Sequence, residues 1–262
     1  MRCFLAAVAL CCVGTSVSAA EPKSYEALYE LSVKDWKLPG EVLNVTGSQI
    51  VRAERDCTDW KLVGAFRLDA KATQGSGVQF ETDVEGIEAI NGTRLRFRST
   101  TKANGKMVAQ IAGTATRPAA GQPGRIVFTQ PEPKTMPLPP EALFPMAAFR
   151  WTSVQWEKGQ KSANYVLFDG TTPDPVRVFE ILTGAVNPPT PLPDGDVKLL
   201  DGKAWRTSGS FHAYDGNSAE PLTTLIQNVM PNGVATELSL DIGFADVVLN
   251  LRRVRALPEP PC

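Results

Sequence analysis

Through most of its length the chain alternates apolar and polar residues with a period of two, and turn-forming dipeptides cut that alternation into strand-length pieces. Tyr25, Ala27, Tyr29, Leu31 and Val33 form one row; Trp60, Leu62, Phe66 and Leu68 form another, interrupted by Gly64. Val78, Phe80 and Val84 share a face, as do Leu95 with Phe97, and Met107 with Ala109 and Ile111. Trp205, Thr207, Gly209 and Phe211 continue the pattern, and Leu238, Leu240 and Ile242 answer Val247, Leu249 and Leu251. Successive side chains of a strand point to opposite faces, so such rows need a sheet with one covered face and one wet one. Seven hairpin-favouring dipeptides punctuate them: Asn91-Gly92, Asn104-Gly105, Asp169-Gly170, Asp194-Gly195, Asp201-Gly202, Asp215-Gly216 and Asn232-Gly233. These pairs take up the positive-φ backbone of two-residue hairpins. The pattern predicts an antiparallel, meandering, mostly β chain, ending in a hairpin of 234–242 with 245–254.

Two segments break the period. Residues 131–145 hold six prolines and 187–193 hold four. Proline offers no N–H to a ladder, so neither stretch is expected inside a sheet. Between them lies one helical signal, about 143–158, with Met146, Phe149, Ser153 and Trp156 on one face and Gly159 placed as a C-cap. Such a helix either covers one end of the sheet or lines a hydrophobic cavity.

The N-terminus carries an address. Arg2, the ten-residue apolar run 4–13 and the small residues ending at Ala20 form a secretory signal pattern, with cleavage after Ala20. The run is about half the length needed to span a bilayer. Leu10 precedes Cys11 where a lipoprotein signal needs a small residue, so lipidation of Cys11 or Cys12 is not expected. The mature chain, 21–262, is expected to be exported, soluble, not membrane-spanning and a single domain. Cleavage removes three of the five cysteines and leaves Cys57 and Cys262, 205 residues apart. In an oxidising compartment such a pair is expected as one disulfide rather than two free thiols. The chain-entropy model assigns so long a loop about 5 kcal/mol.

Chemistry is sparse. The net charge is −1, against the basic excess of a nucleic-acid binder, and the only histidine is His212. No phosphate loop, HExxH, GxSxG or CxxC motif is present. Gly75-Ser76-Gly77 begins like a dinucleotide fingerprint, but Phe80 replaces the third glycine and no helix follows, so it reads as a hairpin loop. Ser208, Ser210, His212 and Asp215 lie on or beside one predicted strand, where a catalytic triad seldom converges. Glu81, Asp83 and Glu85 share a strand face and read as a solvated acidic row. Asp194-Gly195-Asp196 lacks the spaced oxygen ligands of a calcium loop and reads as a turn. Asn91-Gly92-Thr93 matches a glycosylation sequon, but its Asn-Gly pair is already explained as a turn. No cofactor or metal is expected, and no catalytic residue is assigned.

A family resemblance is spread along the chain. Its parts are Tyr29-Glu30-Leu31-Ser32-Val33, Gly47, and Asp56-Cys57-Thr58-Asp59-Trp60; then Leu143-Phe144-Pro145 leading into a helix, and the strand 165–170 ending in Asp-Gly. Asn232-Gly233-Val234, Leu238-Ser239-Leu240-Asp241, Leu251, Leu257-Pro258 and the terminal Cys262 complete it. In this order the chain resembles the EipB family of periplasmic cell-envelope integrity proteins of Gram-negative bacteria. The resemblance implies a many-stranded β-spiral, or open barrel, with one or two short helices, closed by a Cys57–Cys262 disulfide. It also implies likeness to half-barrel carriers that hold acyl chains in an apolar concavity.

The expected function is therefore non-enzymatic support of the envelope through protein or lipid contacts. A carrier of lipid or lipoprotein acyl chains is the specific alternative, with Trp60, Phe66, Phe80, Leu95 and Phe97 as candidate cavity lining. A periplasmic hydrolase using carboxylate pairs is the remaining reading.

Overall fold

The computed structural model describes residues 21–37, 42–74, 77–189, 194–216 and 218–262. The proposed signal segment 1–20, and residues 75–76 of the glycine-rich loop, lie outside them, as does 190–193 of the second proline stretch.

The chain first lays down eight strands in order: β1 (Tyr25–Trp36), β2 (Val42–Arg55), β3 (Asp59–Ala72), β4 (Val78–Ala89), β5 (Arg94–Ala103), β6 (Lys106–Thr116), β7 (Gly124–Gln130) and β8 (Lys134–Leu138). Each is antiparallel to the one before. The short strand β9 (Ala142–Leu143) and helix α1 (Pro145–Glu157) follow. The return arm is β10 (Ser162–Leu167), β11 (Val176–Val186), β12 (Asp194–Gly195), β13 (Ala204–Ala213), β14 (Thr223–Val229), β15 (Ala235–Asp241) and β16 (Ala245–Ala256). β16 pairs with β1 from Tyr25 opposite Ala256 to Trp36 opposite Ala245, which joins the two arms into one sheet. The sheet runs from β8 through β1 and β16 to β9, with β12 pairing off that path to β16. Its two free edges, β8 and β9, are separated in the chain by only residues 139–141. The result is a nearly closed, barrel-like sheet.

Local chemistry explains the meander. Asn104 and Gly105, at φ 50° and 75°, turn β5 into β6; Gly92 and Gly233 take positive φ at two other predicted turns. One expectation needs correcting. The first proline stretch does enter the sheet: Pro137 belongs to β8, opposite Arg125 of β7. It is tolerated because β8 is an edge strand, where a missing N–H breaks no second ladder.

Two apolar clusters fill the interior. The larger gathers Tyr25, Tyr29, Trp60, Met230, Val247 and Leu249 around the junction of β1 and β16. The smaller joins Leu95, Phe97, Ile126, Phe128, Phe144 and Phe168 near the sheet's free edges. Burying each large aliphatic or phenyl side chain contributes about 1.5–3 kcal/mol. Gly170, at φ 75°, packs against the smaller cluster: a Cβ there would sit 2.4 Å from Phe97 Cβ.

The disulfide closes the arm junction from outside. Cys57, in the β2–β3 turn, is bonded to Cys262, with their Cα atoms 5.5 Å apart. Neighbouring contacts hold the tail in place. The Leu257 N–H donates to the Ser24 carbonyl (2.9 Å), and the Ser24 N–H donates to the Glu259 carboxylate (2.9 Å).

Candidate functional site

Helix α1 faces the concave side of the sheet rather than solvent. Met146, Ala148, Thr152, Ser153 and Trp156 are buried, the face expected from the sequence apart from half-buried Phe149. Pro145 occupies the first turn, where its missing N–H is harmless, and Gly159 at φ 77° ends the helix. Between α1 and the sheet lies a cavity of about 480 Å³. Val51, Leu62, Val84 and Leu95 wall it from one arm, Trp205 and Val229 from the other, and Met146, Phe149 and Trp156 from the helix.

The space exists because two inward positions carry no side chain. Gly64 of β3 lies opposite Val84 of β4, and Gly86 of β4 lies opposite Leu62 of β3. A Cβ on Gly86 would come within 3.6–3.9 Å of Leu62 and Leu95, so it would project into the space between them. The glycine that interrupts the apolar row of β3 thus marks the cavity's level.

Two buried glutamates flank this space. Glu88 of β4, fully buried, accepts the N–H of Met146 (2.7 Å) and of Ala147 (2.9 Å). The residue at the helix N-cap, Phe144, has no side chain able to cap. Glu88 supplies that cap from 58 residues away, satisfying two N–H groups that a helix start leaves unpaired. Burial pushes its pKa up to about 7, against the opposing pull of those two N–H groups and of Arg150 and Arg117. The seam beside it is held by Arg117, which donates to the Pro140 (3.1 Å) and Ala142 carbonyls and lies over the Phe144 ring, 4.7 Å from its centroid. Burial lowers the Arg117 pKa.

Glu180 of β11 is also buried, but it faces the cavity. The Tyr165 hydroxyl donates to one of its oxygens (3.2 Å) and the Gln227 amide to the other (3.4 Å). Burial, then the neighbouring Glu180 charge, raises the Tyr165 pKa well above that of a free phenol. In the same inward row, Thr207 of β13 sits opposite Gln227. It is fully buried, and its hydroxyl has no hydrogen-bond partner. Helix hydroxyls facing the space are satisfied locally: Thr152 and Ser153 both donate to the Phe149 carbonyl.

Of the five apolar residues expected to line a concavity, Leu95 does line this one. Trp60 is buried in the larger cluster, with Phe66 and Phe80 half-buried against it. Phe97 lies in the smaller cluster, its ring edge-on to Phe128 and Phe168 at 5.6 and 5.3 Å. The register explains the split. The cavity is level with Leu62 and Gly64, whereas Trp60 and Phe66 lie one step to either side, where side chains meet each other.

The other candidates do not converge on this space. His212 meets Ser210 on its own strand (3.1 Å), with Arg177 opposite in register. Asp83 forms an ion pair with Arg67 (2.7 Å), and Glu85 is exposed. Asp196 accepts the Ala256 N–H (2.8 Å), so the 194–196 segment ties down the end of β16. Among the described residues no cluster of three His, Cys, Asp or Glu is placed to hold a metal, and no helix is long and apolar enough to cross a membrane.

The sequence reading missed both Glu88 and Glu180. Glu88 had a signal: it continues the inward parity of Phe80, Val84 and Gly86, whereas Glu81, Asp83 and Glu85 lie on the other face.

The fold is shared with a solved structure. The chain superimposes with a TM-score of 0.79 on a β-barrel-like protein of the DUF1849 domain of unknown function from Brucella abortus, at 15% identity, covering 91% of this chain and 99% of that one. No curated protein sequence matches the chain. The EipB-like family model matches residues 17–258, nearly the whole length. With the barrel-like fold and the disulfide in place, the chain belongs to the EipB-like family.

Proposed function

We propose that this protein is a non-enzymatic component of the periplasm that supports the cell envelope by holding an apolar chain in the cavity between α1 and the sheet. One observation carries the reading: an apolar space of about 480 Å³ kept open by Gly64 and Gly86. Protein interiors are close-packed, and sizeable concave apolar spaces with a few placed polar groups are the usual form of a ligand site. Membership of the EipB-like family and the barrel-like fold support a non-catalytic role of this kind. The signal pattern in 1–20 and the disulfide both fit an oxidising, exported setting.

Native mass spectrometry of the protein purified from periplasm, without detergent, tests the reading. The expected result is the mass of chain 21–262 plus a stoichiometric adduct that organic solvent extracts. The bare polypeptide mass, together with failure to bind any added twelve-carbon amphiphile, would overturn it and leave a scaffold that acts through its outer surface.

A further inference from the structure

Buried charges in proteins are almost always paired, and buried hydroxyls almost always hydrogen-bonded. The cavity wall formed by β10, β11, β13 and β14 departs from the first rule at Glu180. Glu180 receives hydrogen bonds from Tyr165 and Gln227, yet among the described residues no lysine or arginine forms an ion pair with it. A carboxylate has about four acceptor sites, so two donors leave it unsaturated. Gly209 lies opposite Glu180 in register, where a Cβ would rest in van der Waals contact with Phe211 (3.6 Å) and with Glu180 Cγ (3.9 Å). Behind this wall Thr207, the next inward-parity residue along β13, keeps a fully buried, unpartnered hydroxyl. Leu62, Leu95, Met146 and Phe149 supply apolar wall, with Arg52 and Asp169 also lining the space.

Building on the cavity reading above, we propose that the cavity takes a single-chain amphiphile with a protonated amine head group, the amine seated on Glu180 and the hydrocarbon tail lying along α1. A primary ammonium supplies three donors and the positive charge that the buried carboxylate lacks. An anionic head placed on Glu180 would instead meet a like charge; Arg52, which also lines the cavity, is already held by Glu54 (2.8 Å) and Glu26 (3.4 Å). The volume suits one chain: about 480 Å³ lies in the lower half of the range for small-molecule sites, roughly 300–1,000 Å³.

Calorimetric titration with dodecylamine, dodecanol and dodecanoate at micromolar concentration, below micelle formation, tests this on the wild-type protein. The amine should bind at one per chain, at least ten times more tightly than the alcohol, with the carboxylate weakest. In Glu180→Gln, and again in Glu180→Ala, the amine should lose at least tenfold and bind no better than dodecanol, whose own affinity should change less than threefold. Tyr165→Phe, which keeps the ring and the carboxylate, should retain the preference for amine. If all three compounds bind wild type with similar affinity, or dodecanoate binds best, the head-group assignment is wrong while the apolar cavity stands. If none binds, both the assignment and the cavity reading fail.

Discussion

The molecule buries two glutamates, one lining the cavity and one capping the helix that covers it, and treats them differently. Glu88 lies at the seam between β4 and the start of α1, with both carboxylate oxygens engaged by backbone N–H groups. Glu180 lies in the opposite wall, held by two side chains, one of them at 3.4 Å, and open to the cavity. Backbone donors at a helix start are fixed by the fold, so the first carboxylate is a structural cap. Side-chain donors beside an open space can turn or take a guest, so the second is available to a ligand. Burial alone does not distinguish a structural charge from a functional one; what the partners are attached to does.

The largest effect should leave that contrast intact. Cys262→Ser removes the link between the arms without touching either glutamate's hydrogen bonds, and the chain-entropy model gives a loss of about 5 kcal/mol. Chemical denaturation should show this loss, Cys57→Ser should match it, and the double mutant should add nothing. A Cys262→Ser variant as stable as wild type would mean the arms are held by pairing of β1 with β16 alone.

Glu88→Ala separates the two regions. It strands two buried N–H groups of α1 and should cost about 2–4 kcal/mol, at 1–3 per unsatisfied group with partial hydration. Helix-specific hydrogen exchange at 146–150 should rise with it. A loss below about 1 kcal/mol would mean α1 does not need its remote cap.

The same side chain sets a pH dependence. Its pKa is raised in the fold to about 7 from 4.5, so the folded chain holds a proton that the unfolded chain releases between those values. Stability from this group is full below about pH 4.5 and is lost as pH rises through about 7, up to about 3 kcal/mol in all. Urea denaturation of wild type and Glu88→Gln at pH 5, 6, 7 and 8 should show wild type losing ground to the variant across that range. A constant difference would show that Glu88 is ionised throughout.

The smallest effect belongs to the other wall. Glu180→Ala should change stability by about 1 kcal/mol or less, because Tyr165 and Gln227 face a space that water can enter. A loss as large as that of Glu88→Ala would erase the contrast between the two carboxylates.

Much of this architecture is legible in the sequence. The period-two rows correspond to strands and six of the seven Asn-Gly and Asp-Gly pairs to connections, whereas Asp194-Gly195, expected as a turn, is the short strand β12 beside β16; the helix spans 145–157 against an expected 143–158, and Cys57 and Cys262 are bonded. The misreadings share a cause. Parity says which side chains point inward, but whether an inward position meets packing or space depends on what lies across the barrel. Trp60, Phe66 and Phe97 share the inward parity of Leu95, and the acidic row Glu81, Asp83 and Glu85 on the outer face of β4 is the more conspicuous neighbour of the inward Glu88. Pro137 entered the sheet because it fell on an edge, and which strand is an edge is a property of the closed topology, not of five residues.

The central claim, that an apolar chain enters the space beside α1, is tested most directly by methyl NMR on protein labelled at methionine. Met146 lines the cavity, whereas Met107 is exposed and Met136 sits with it in a separate surface hollow by β6 and β8. On titration with dodecanol or dodecylamine, the Met146 methyl resonance should shift and saturate at one ligand per chain while Met107 and Met136 stay in place. Shifts confined to Met107 and Met136, or none at Met146 at saturating ligand, would contradict the account.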